Sequence, residues 1–218
     1  MNVLFRVDSS FKIGLGHVMR CLVLADQYKE DNVFFVTQNL RGNIFNFMKN
    51  ITIQTERFDL KTLKKNDVSD RYLRWINSAY NIYINYTNQS RSLADIRSYV
   101  AEREDDDFIL FLGIFLRESN EHIRNIKFEP INFDNKTAVM GILIGEKDWR
   151  GVGVASEVIK SSSEWLNKQY DINHIALGVD SKNIAAIKAY KKIGFKNKQT
   201  PCITITDKSQ LTMAFDFL

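Results

Sequence analysis

The chain has 218 residues, 44% of them hydrophobic and 26% charged, which is the balance of an ordinary globular protein. At about 150 residues per domain, this length allows one large domain or two small ones, with a core that needs no disulfide or metal. The two cysteines, Cys21 and Cys202, form no metal-ligand pattern, which favours a reducing compartment. The net charge of +4 is too small for a nucleic-acid-binding protein, and no apolar run approaches the roughly 18 residues of a membrane span. We therefore expect a cytoplasmic protein without a nucleic-acid, membrane or metal partner.

The first 57 residues alternate between strand and helix patterns. Short apolar strands are predicted at 2–7, 33–36 and 51–53, with helices at 17–28 and 43–48 between them. This order is typical of a small parallel βαβαβ unit, a Rossmann-like half-lobe. The pattern changes after Arg57, which predicts an N-terminal segment at 1–57 and a second domain at 58–218.

The second domain begins with a strand that runs into a helix N-cap over 60–67, followed by two helices. It continues as an antiparallel meander of three strands and then returns to alternating helix and strand. The predicted elements are helices at 69–78 and 92–102, strands at 108–116, 123–131 and 137–145, a helix at 153–168, a strand at 174–179, a helix at 184–192, and strands near Ile203 and at 211–217.

A glycine-rich loop joins the third strand of the meander to the helix that follows it. The glycines allow a ligand to approach the backbone, and the helix N-terminus presents unpaired amides and a positive dipole end to an anion. Arg150 adds a full positive charge, so the loop predicts a pyrophosphate site, although neither GxGxxG nor a Walker motif is present. A turn that only connects strand and helix is the alternative reading of the loop taken alone. Its residues are Arg150, Gly151, Val152, Gly153, Val154 and Ala155.

A second motif follows about thirty residues later, with Asn183, Ala186 and Tyr190 spaced as Asn-x-x-Ala-x-x-x-Tyr, and then Gly194 and Phe195. The first loop also matches Arg/Gln-x-x-Gly-x-Gly/Ala. Together and in this order, the two motifs resemble those of the Gcn5-related N-acetyltransferase (GNAT) family, over roughly 58–218. The resemblance implies an α/β (α+β) fold with a central mixed, mostly antiparallel sheet flanked by helices, here preceded by the half-lobe.

The resemblance also implies that acetyl-CoA is the donor, that no metal is needed, and that an amine attacks the thioester directly. Tyr190 would then be the general acid that protonates the departing thiolate, because a phenol with a pKa near 10 is a sensible donor. The remaining residues that the family pattern places against acetyl-CoA are Leu143, Ile144 and Gly145 on the strand, Arg150 and the amides of Gly151, Val152, Gly153, Val154 and Ala155 at the pyrophosphate, and Asn183 and Ala186 at the pantetheine arm.

The general base is left open by the sequence. Many members of the family carry a glutamate five residues before the asparagine of the second motif, and here that position is Gly178. Asp180, His174 or a tyrosine of the loop at 80–86 could relay the proton through water, or the amine could arrive largely neutral. A sugar amine, made less basic by neighbouring oxygens, needs less help from a base than a lysine does.

The loop between the first two helices of the second domain is a candidate acceptor site. Tyr80, Tyr83 and Tyr86 offer stacking faces and neutral hydrogen bonds, which suit a nucleotide base or a sugar better than a basic peptide. Packing of these tyrosines at the boundary between loop and core is the alternative.

The N-terminal segment contains the run Gly14-Leu15-Gly16-His17, which resembles the start of the UDP-sugar hydrolases of pseudaminic acid biosynthesis. In that family a Gly-x-Gly-His turn lies in the active cleft and its histidine activates water, and His17 matches that histidine. Such hydrolases need two nucleotide-binding lobes, and only a first half-lobe fits before Arg57. We therefore expect a remnant or accessory module, whose small sheet packs on the rest of the chain or on a second copy in a homodimer.

Three functional hypotheses follow from these resemblances. The pathway of those hydrolases contains an acetyltransferase for a UDP-linked 4-amino-4,6-dideoxy sugar, so the first hypothesis is N-acetylation of an amino-sugar nucleotide. The second is N-terminal acetylation of a protein or peptide, as in family members that act on ribosomal proteins. The third is a non-catalytic CoA-binding or assembly protein, against which the presence of Arg150, Asn183 and Tyr190 argues.

Overall fold

The computed structural model describes residues 2–6, 32–36, 50–77, 90–104, 106–143, 149, 151–203 and 209–217. The chain forms two compact units, one of Met1–Phe47 with Gln169–Asp171, and one of Met48–Lys168 with Ile172–Leu218. No helix in the described ranges is long and apolar enough to cross a membrane.

The first unit contains two strands, β1 (Asn2–Arg6) and β2 (Asn32–Val36), which pair in parallel with Asn2 opposite Asn32. The helices predicted between and after them lie outside the described residues, as does His17. The helices of the half-lobe and its likeness to a hydrolase therefore stay predictions.

The second unit is built on an eight-stranded sheet in the order β3-β4-β5-β6-β7-β8-β10-β9. Neighbouring strands are antiparallel except β7 and β8, which are parallel. This confirms the mixed, mostly antiparallel sheet that the family resemblance implied. The strands are β3 (Thr52–Gln54), β4 (Phe58–Thr62), β5 (Leu110–Leu116), β6 (His122–Asn132), β7 (Thr137–Leu143), β8 (His174–Asp180), β9 (Lys196–Asn197) and β10 (Gln210–Asp216).

Four α-helices belong to the described part of this unit, and each lies where the sequence pattern predicts it. They are α1 (Asp70–Ile76), α2 (Leu93–Glu104), α3 (Val154–Tyr170) and α4 (Ile184–Ile193), with a short 3-10 helix at Lys65–Asp67 before α1. Helices α1 and α2 bury Tyr72, Trp75 and Ile96 in one cluster with Phe111 and Leu143 of the sheet. These contacts place α1 and α2 on the sheet face that carries Phe111 and Leu143.

The sheet assignment of one predicted strand is wrong. The strand expected to complete the parallel half-lobe is β3, which instead pairs antiparallel with β4, Ile53 opposite Leu60. A three-residue strand carries too little pattern to show which sheet it joins, and here the burial of Ile53 (7% exposed) against the large sheet decides it. The short strand β9, directly after the buried Phe195, was not predicted, and the segment of the strand expected near Ile203 lies largely outside the described residues.

Helix α4 is bounded by the residues of the second sequence motif. The side chain of Asn183 caps its N-terminus by accepting a hydrogen bond from the amide of Ala186 (3.2 Å), which uses one otherwise unpaired donor. Gly194 ends the helix in the left-handed region at φ +117°, and Phe195 then packs against Phe215 with ring centroids 5.7 Å apart. Much of this motif therefore encodes the two ends of α4.

Replacement of Gly194 by alanine should destabilise the protein by about 1–2 kcal/mol, the cost of a left-handed non-glycine residue. The added Cβ would also lie 3.1 Å from the Phe215 ring. Urea unfolding followed by circular dichroism measures the change. Gly141→Ala is the matched control, because an added Cβ at that position meets no atom within 4 Å. Equal stabilities of the two variants would contradict the role of Gly194.

Candidate active site

The parallel pair β7 and β8 separates part-way along its length. The two strands are paired only from Thr137 opposite His174 to Val139 opposite Ala176. Beyond these positions β7 continues to Leu143 and β8 to Asp180, each still paired with its other neighbour. The strands therefore leave an opening in the sheet, at whose edges backbone groups face a potential ligand instead of each other.

Two glycines lie beside this opening on the same face of the sheet. The register that places Val139 opposite Ala176 puts Gly141 and Gly178, each two residues further on, on one face. A Cβ added at either position would meet no atom within 4 Å. Among the described residues, no side chain therefore comes within 4 Å of these two positions, one of which is Gly178, where many family members carry a glutamate.

The glycine-rich loop leads from the opening into α3. Gly151 and Gly153 have φ values of +77° and +83°, a backbone conformation that favours glycine. The chain turns into α3 at Val154, and the amide of Glu157 donates to the carbonyl of Gly153 (3.1 Å). The amides ahead of Glu157 have no carbonyl within their own helix to bond, so this end of α3 can bind an anion. Three predicted residues nearby, Ile144, Gly145 and Arg150, lie outside the described residues.

A charged clamp holds this loop, and its residues did not stand out in the sequence. Glu157 Oε1 accepts hydrogen bonds from Thr55 Oγ1 (2.7 Å) and the Arg57 amide (2.9 Å), while Oε2 accepts from Arg57 Nε (2.7 Å). Arg57 Nη1 also donates to the carbonyl of Val152 (3.0 Å). The turn between β3 and β4 is thereby tied to the first turn of α3 and to the loop before it. The spacing of 100 residues between Arg57 and Glu157 is why pattern reading missed the pair.

The clamp also sets the charge of the loop. Burial raises the pKa of Glu157, but the hydrogen bonds from Thr55 and Arg57 outweigh it and hold the pKa below the ordinary value of 4.5. Glu157 is therefore a carboxylate at neutral pH and stays bonded to Arg57. The side chain of Arg57 remains 39% exposed, and its ion pair with Glu157 leaves the clamp without net charge.

Tyr190, the predicted general acid, lies in α4 with its ring 5.9 Å from that of Phe195. Burial raises the pKa of its phenol to about 12, so the hydroxyl keeps its proton throughout the physiological range.

The sequence matches the acetyltransferase (GNAT) domain family over residues 57–196, well over half of the chain. The chain belongs to the GNAT acetyltransferase family. It is an acetyl-CoA-dependent acetyltransferase, and the matched segment contains the opening, the glycine loop and α4.

Several solved structures share this fold. A GNAT-family acetyltransferase from Bacillus anthracis is 16% identical, with a TM-score of 0.63 over 76% of this chain and 98% of that one. The ribosomal alpha-N-protein acetyltransferase RimL, in complex with coenzyme A, is 16% identical, with a TM-score of 0.65 over 76% of this chain and 98% of that one. The microcin C7 self-immunity acetyltransferase MccE, in complex with acetyl-CoA and AMP, is 15% identical, with a TM-score of 0.63 over 74% of this chain and 93% of that one. No curated protein matches the chain in sequence.

The alternative bases named from the sequence differ in their placement in this GNAT domain. His174 lies at the paired end of β8, away from the opening; its Nδ1 is 2.6 Å from Asp216 Oδ1 and its Nε2 is 2.9 Å from Thr200 Oγ1. Both ring nitrogens are therefore engaged. Asp180 does lie at the open end of β8, where its Oδ1 accepts from the Lys182 amide (2.7 Å). Tyr80, Tyr83 and Tyr86 lie outside the described residues.

A groove of about 220 Å³ lies between α3, the end of α4 and β10. Lys160 and Lys192 supply positive charge at its walls, and Phe195 and Phe215 supply apolar surface. Ser163 Oγ, which also lines the groove, is buried without a hydrogen-bond partner in the described part of the chain. Sequence reading missed this groove because its walls come from three separate segments.

Arg57→Gln should weaken acetyl-CoA binding by about tenfold, or about 1.4 kcal/mol, because one charged hydrogen-bond partner of the loop is lost. Titration calorimetry with acetyl-CoA measures the dissociation constant. Lys198→Gln is a suitable control, since it removes a similarly exposed cation whose ion pair with Asp216 does not involve the loop. An unchanged dissociation constant for Arg57→Gln would show that the clamp does not support the acetyl-CoA site.

Proposed function

We propose that this protein transfers the acetyl group of acetyl-CoA to a primary amine by direct attack, in the opening between β7 and β8. The observation that carries the proposal is that this opening, with its two unfilled glycine positions, is followed directly along the chain by an anion-binding loop. A thioester and a pyrophosphate on one flexible arm suit that arrangement.

The residues of this chain fit acetyl-CoA along the whole molecule. The edge of β7 that is not paired with β8, up to Leu143, would bond the pantetheine amides, and the family pattern adds Ile144 and Gly145. The amides of 152–155, with Arg57 and Arg150, would hold the pyrophosphate. The groove with Lys160 and Lys192 offers charge for a phosphate and an apolar wall for the adenine. When bound, acetyl-CoA supplies a thioester, whose carbonyl carbon is open to attack by an amine.

Tyr190 would stabilise the thiolate that leaves. Its pKa of about 12 lies well above that of a thiol, so complete proton transfer from the phenol to a thiolate is unfavourable in this environment. We therefore assign Tyr190 as a hydrogen-bond donor to the developing negative charge on sulfur, a narrower role than the full proton donation expected from the sequence. Such donors contribute most where water is excluded.

For the acceptor, we propose the α-amino group of a protein or peptide. Two structures that share the fold support this choice: RimL, an alpha-N-protein acetyltransferase, and a putative ribosomal-protein-serine acetyltransferase from Vibrio cholerae, with a TM-score of 0.63 at 12% identity. An α-amine has a pKa of about 8, so it loses its proton far more readily than a lysine does. That property suits a site in which Gly178 replaces the usual glutamate.

An amino-sugar nucleotide is the second candidate acceptor. The run Gly14-Leu15-Gly16-His17 resembles a hydrolase that acts on such sugars, and a fusion of neighbouring pathway steps would explain its presence ahead of this domain. Tyr80, Tyr83 and Tyr86 could stack on a base or a sugar.

An acceptor panel separates the two candidates. The full chain is incubated with acetyl-CoA and with peptides bearing free α-amines, UDP-4-amino sugars, or spermidine, and released thiol is measured. We expect turnover with some of the peptides, at a rate that depends on the first residue. Turnover with the sugar nucleotides alone would show that the acceptor is an amino-sugar nucleotide and not an α-amine. Release of thiol at no more than the enzyme-free rate with every amine would contradict the proposed reaction.

Tyr190→Phe should lower kcat by about 100-fold, the loss seen when one donor to developing charge is removed. The KM for acetyl-CoA should change less than twofold, because the phenol acts on charge that is absent from the ground state. Steady-state kinetics with the best acceptor measures both constants. An unchanged kcat would exclude Tyr190 from the chemical step.

A further inference from the structure

His122, at the start of β6, is an ionisable side chain that the reaction described so far does not use. Its imidazole is stacked on the Phe115 ring, with centroids 4.8 Å apart, and Tyr72 and Trp75 of α1 meet it edge-on at 5.8 and 5.2 Å. Three aromatic rings therefore enclose a polar ring on the face of the sheet that packs against α1.

The hydrogen bonds of His122 determine which nitrogen carries the proton. Its Nε2 lies 2.9 Å from the carbonyl oxygen of Arg124 and 2.6 Å from Asn125 Oδ1. The Arg124 carbonyl can only accept, so Nε2 must be the protonated nitrogen in the neutral ring. The same proton orients the Asn125 amide with its oxygen toward the ring. The lone pair of the neutral imidazole is therefore on Nδ1.

Two polar atoms of the pair formed by His122 and Asn125 are left without partners. His122 Nδ1 and Asn125 Nδ2 are both buried, and neither has a hydrogen bond in the described part of the chain. Asn125 as a whole is only 2% exposed. Each unsatisfied buried group costs about 1–3 kcal/mol. A vacant acceptor and a vacant donor on two side chains that contact each other indicate a place for a ligand or for ordered water.

The pair lies one strand away from the opening. Asn125 is directly opposite Leu143 in the register of β6 and β7, so their side chains are neighbours on one face. Gly141 lies on that same face, because Lys127 is its partner two residues along. Adjacent strands are about 4.8 Å apart, and β7 is the strand between Asn125 and the opening.

Burial, together with the groups around it, keeps the His122 imidazole neutral at neutral pH. Burial is the largest influence and lowers its pKa below the ordinary 6.5. Arg71 of α1 acts in the same direction, while Asp67 of the 3-10 helix and the bonds to Asn125 and the Arg124 carbonyl oppose it. Arg71 is itself paired with Glu121.

The carboxylate further along β6 is less suited to accept a proton. Glu129 is bonded to Lys127 and Arg103, and these cations hold its pKa below the ordinary value of 4.5 despite partial burial. It therefore stays ionised and ion-paired at neutral pH.

We infer that His122, held in its Nε2–H form by Asn125, accepts the proton that the acceptor ammonium must lose, through water bridging from its Nδ1 to the opening. This inference rests on the proposed function. One ammonium proton passes to Nδ1, and the freed nitrogen lone pair forms the C–N bond of the amide while the C–S bond breaks. The sulfur keeps that electron pair, and it takes the second nitrogen proton while hydrogen-bonded to Tyr190. His122 then returns its proton to solvent. Asn125 is a positioning residue in this scheme.

His122→Gln tests the inference selectively, because the glutamine amide can still donate at the Nε2 position but has no atom in place of Nδ1. We expect kcat/KM for the acceptor to fall by about 100-fold, the low end for general base catalysis. In the wild type, kcat/KM should fall at low pH with an apparent pKa below 6.5, where His122 becomes protonated. That limb should be missing in His122→Gln, leaving only the ionisation of the amine near pH 8.

Two matched variants identify the group that titrates. His174→Gln, in which both replaced nitrogens were engaged away from the opening, should keep the low-pH limb. Asp180→Asn should keep it as well. If Asp180→Asn removes the limb and His122→Gln does not, the proton acceptor is Asp180 and the inference is overturned. A wild-type rate and limb in His122→Gln would overturn it equally.

A spectroscopic readout keeps the inference testable without turnover. Nitrogen-15 NMR of histidine-labelled protein should show the Nε2–H tautomer for His122, with a pKa below 6.5; the Nδ1–H tautomer would overturn the inference even in an active enzyme. Conversely, an enzyme inactive with every amine would contradict the proposed function while this tautomer could still be observed.

If His122→Gln does not fold, Asn125→Ala serves instead. Loss of the Asn125 hydrogen bond, which raises the His122 pKa, should move the fall of kcat/KM at low pH to a lower pH. An unchanged pH profile would refute the link between Asn125 and His122.

Discussion

The separation of β7 from β8 is the constraint on which the rest of this structure depends. A parallel pair normally continues its ladder, and here it stops after three residue pairs, at Val139 and Ala176. The lengths of β7 and β8 beyond these pairs remain in the sheet because β6 and β10 pair with their other edges. A ligand that adds its own amides to the opening would complete hydrogen bonds that the sheet itself leaves unmade, which is how a fold can bind a pantetheine arm without a deep pocket.

The opening would be of little use if the loop beyond it could move. Three hydrogen bonds converge on the carboxylate of Glu157, and the same Arg57 side chain bonds the loop carbonyl of Val152. The clamp of Arg57 and Glu157 connects two distant parts of the unit. The turn before β4 lies near one edge of the sheet, and α3 follows β7 in the chain. The clamp thereby holds the proposed anion site in a fixed position relative to the sheet that forms the opening, as binding of one extended ligand to both would require.

Much of the fold could be predicted from local pattern. The four helices and the meander have strong periodicity, and the boundaries of α4 follow from Asn183 as a cap and Gly194 as a left-handed terminator. The errors occurred where pattern is short: β3 has three residues and β9 has two, and neighbours in the sheet decide where such strands pair. The glycine loop was also predictable, since positive φ at Gly151 and Gly153 is a local property.

The sequence by itself determined the family and the type of reaction, because the two family motifs are contiguous and use residues with distinctive backbone or capping chemistry. Only the tertiary structure decided the rest of the site. Arg57 meets Glu157, and β6 brings Asn125 beside Leu143, through strand pairing and packing. The histidine at the start of β6 has an ordinary sequence context, and its significance comes from the rings around it and from the proton that two oxygens hold on one nitrogen.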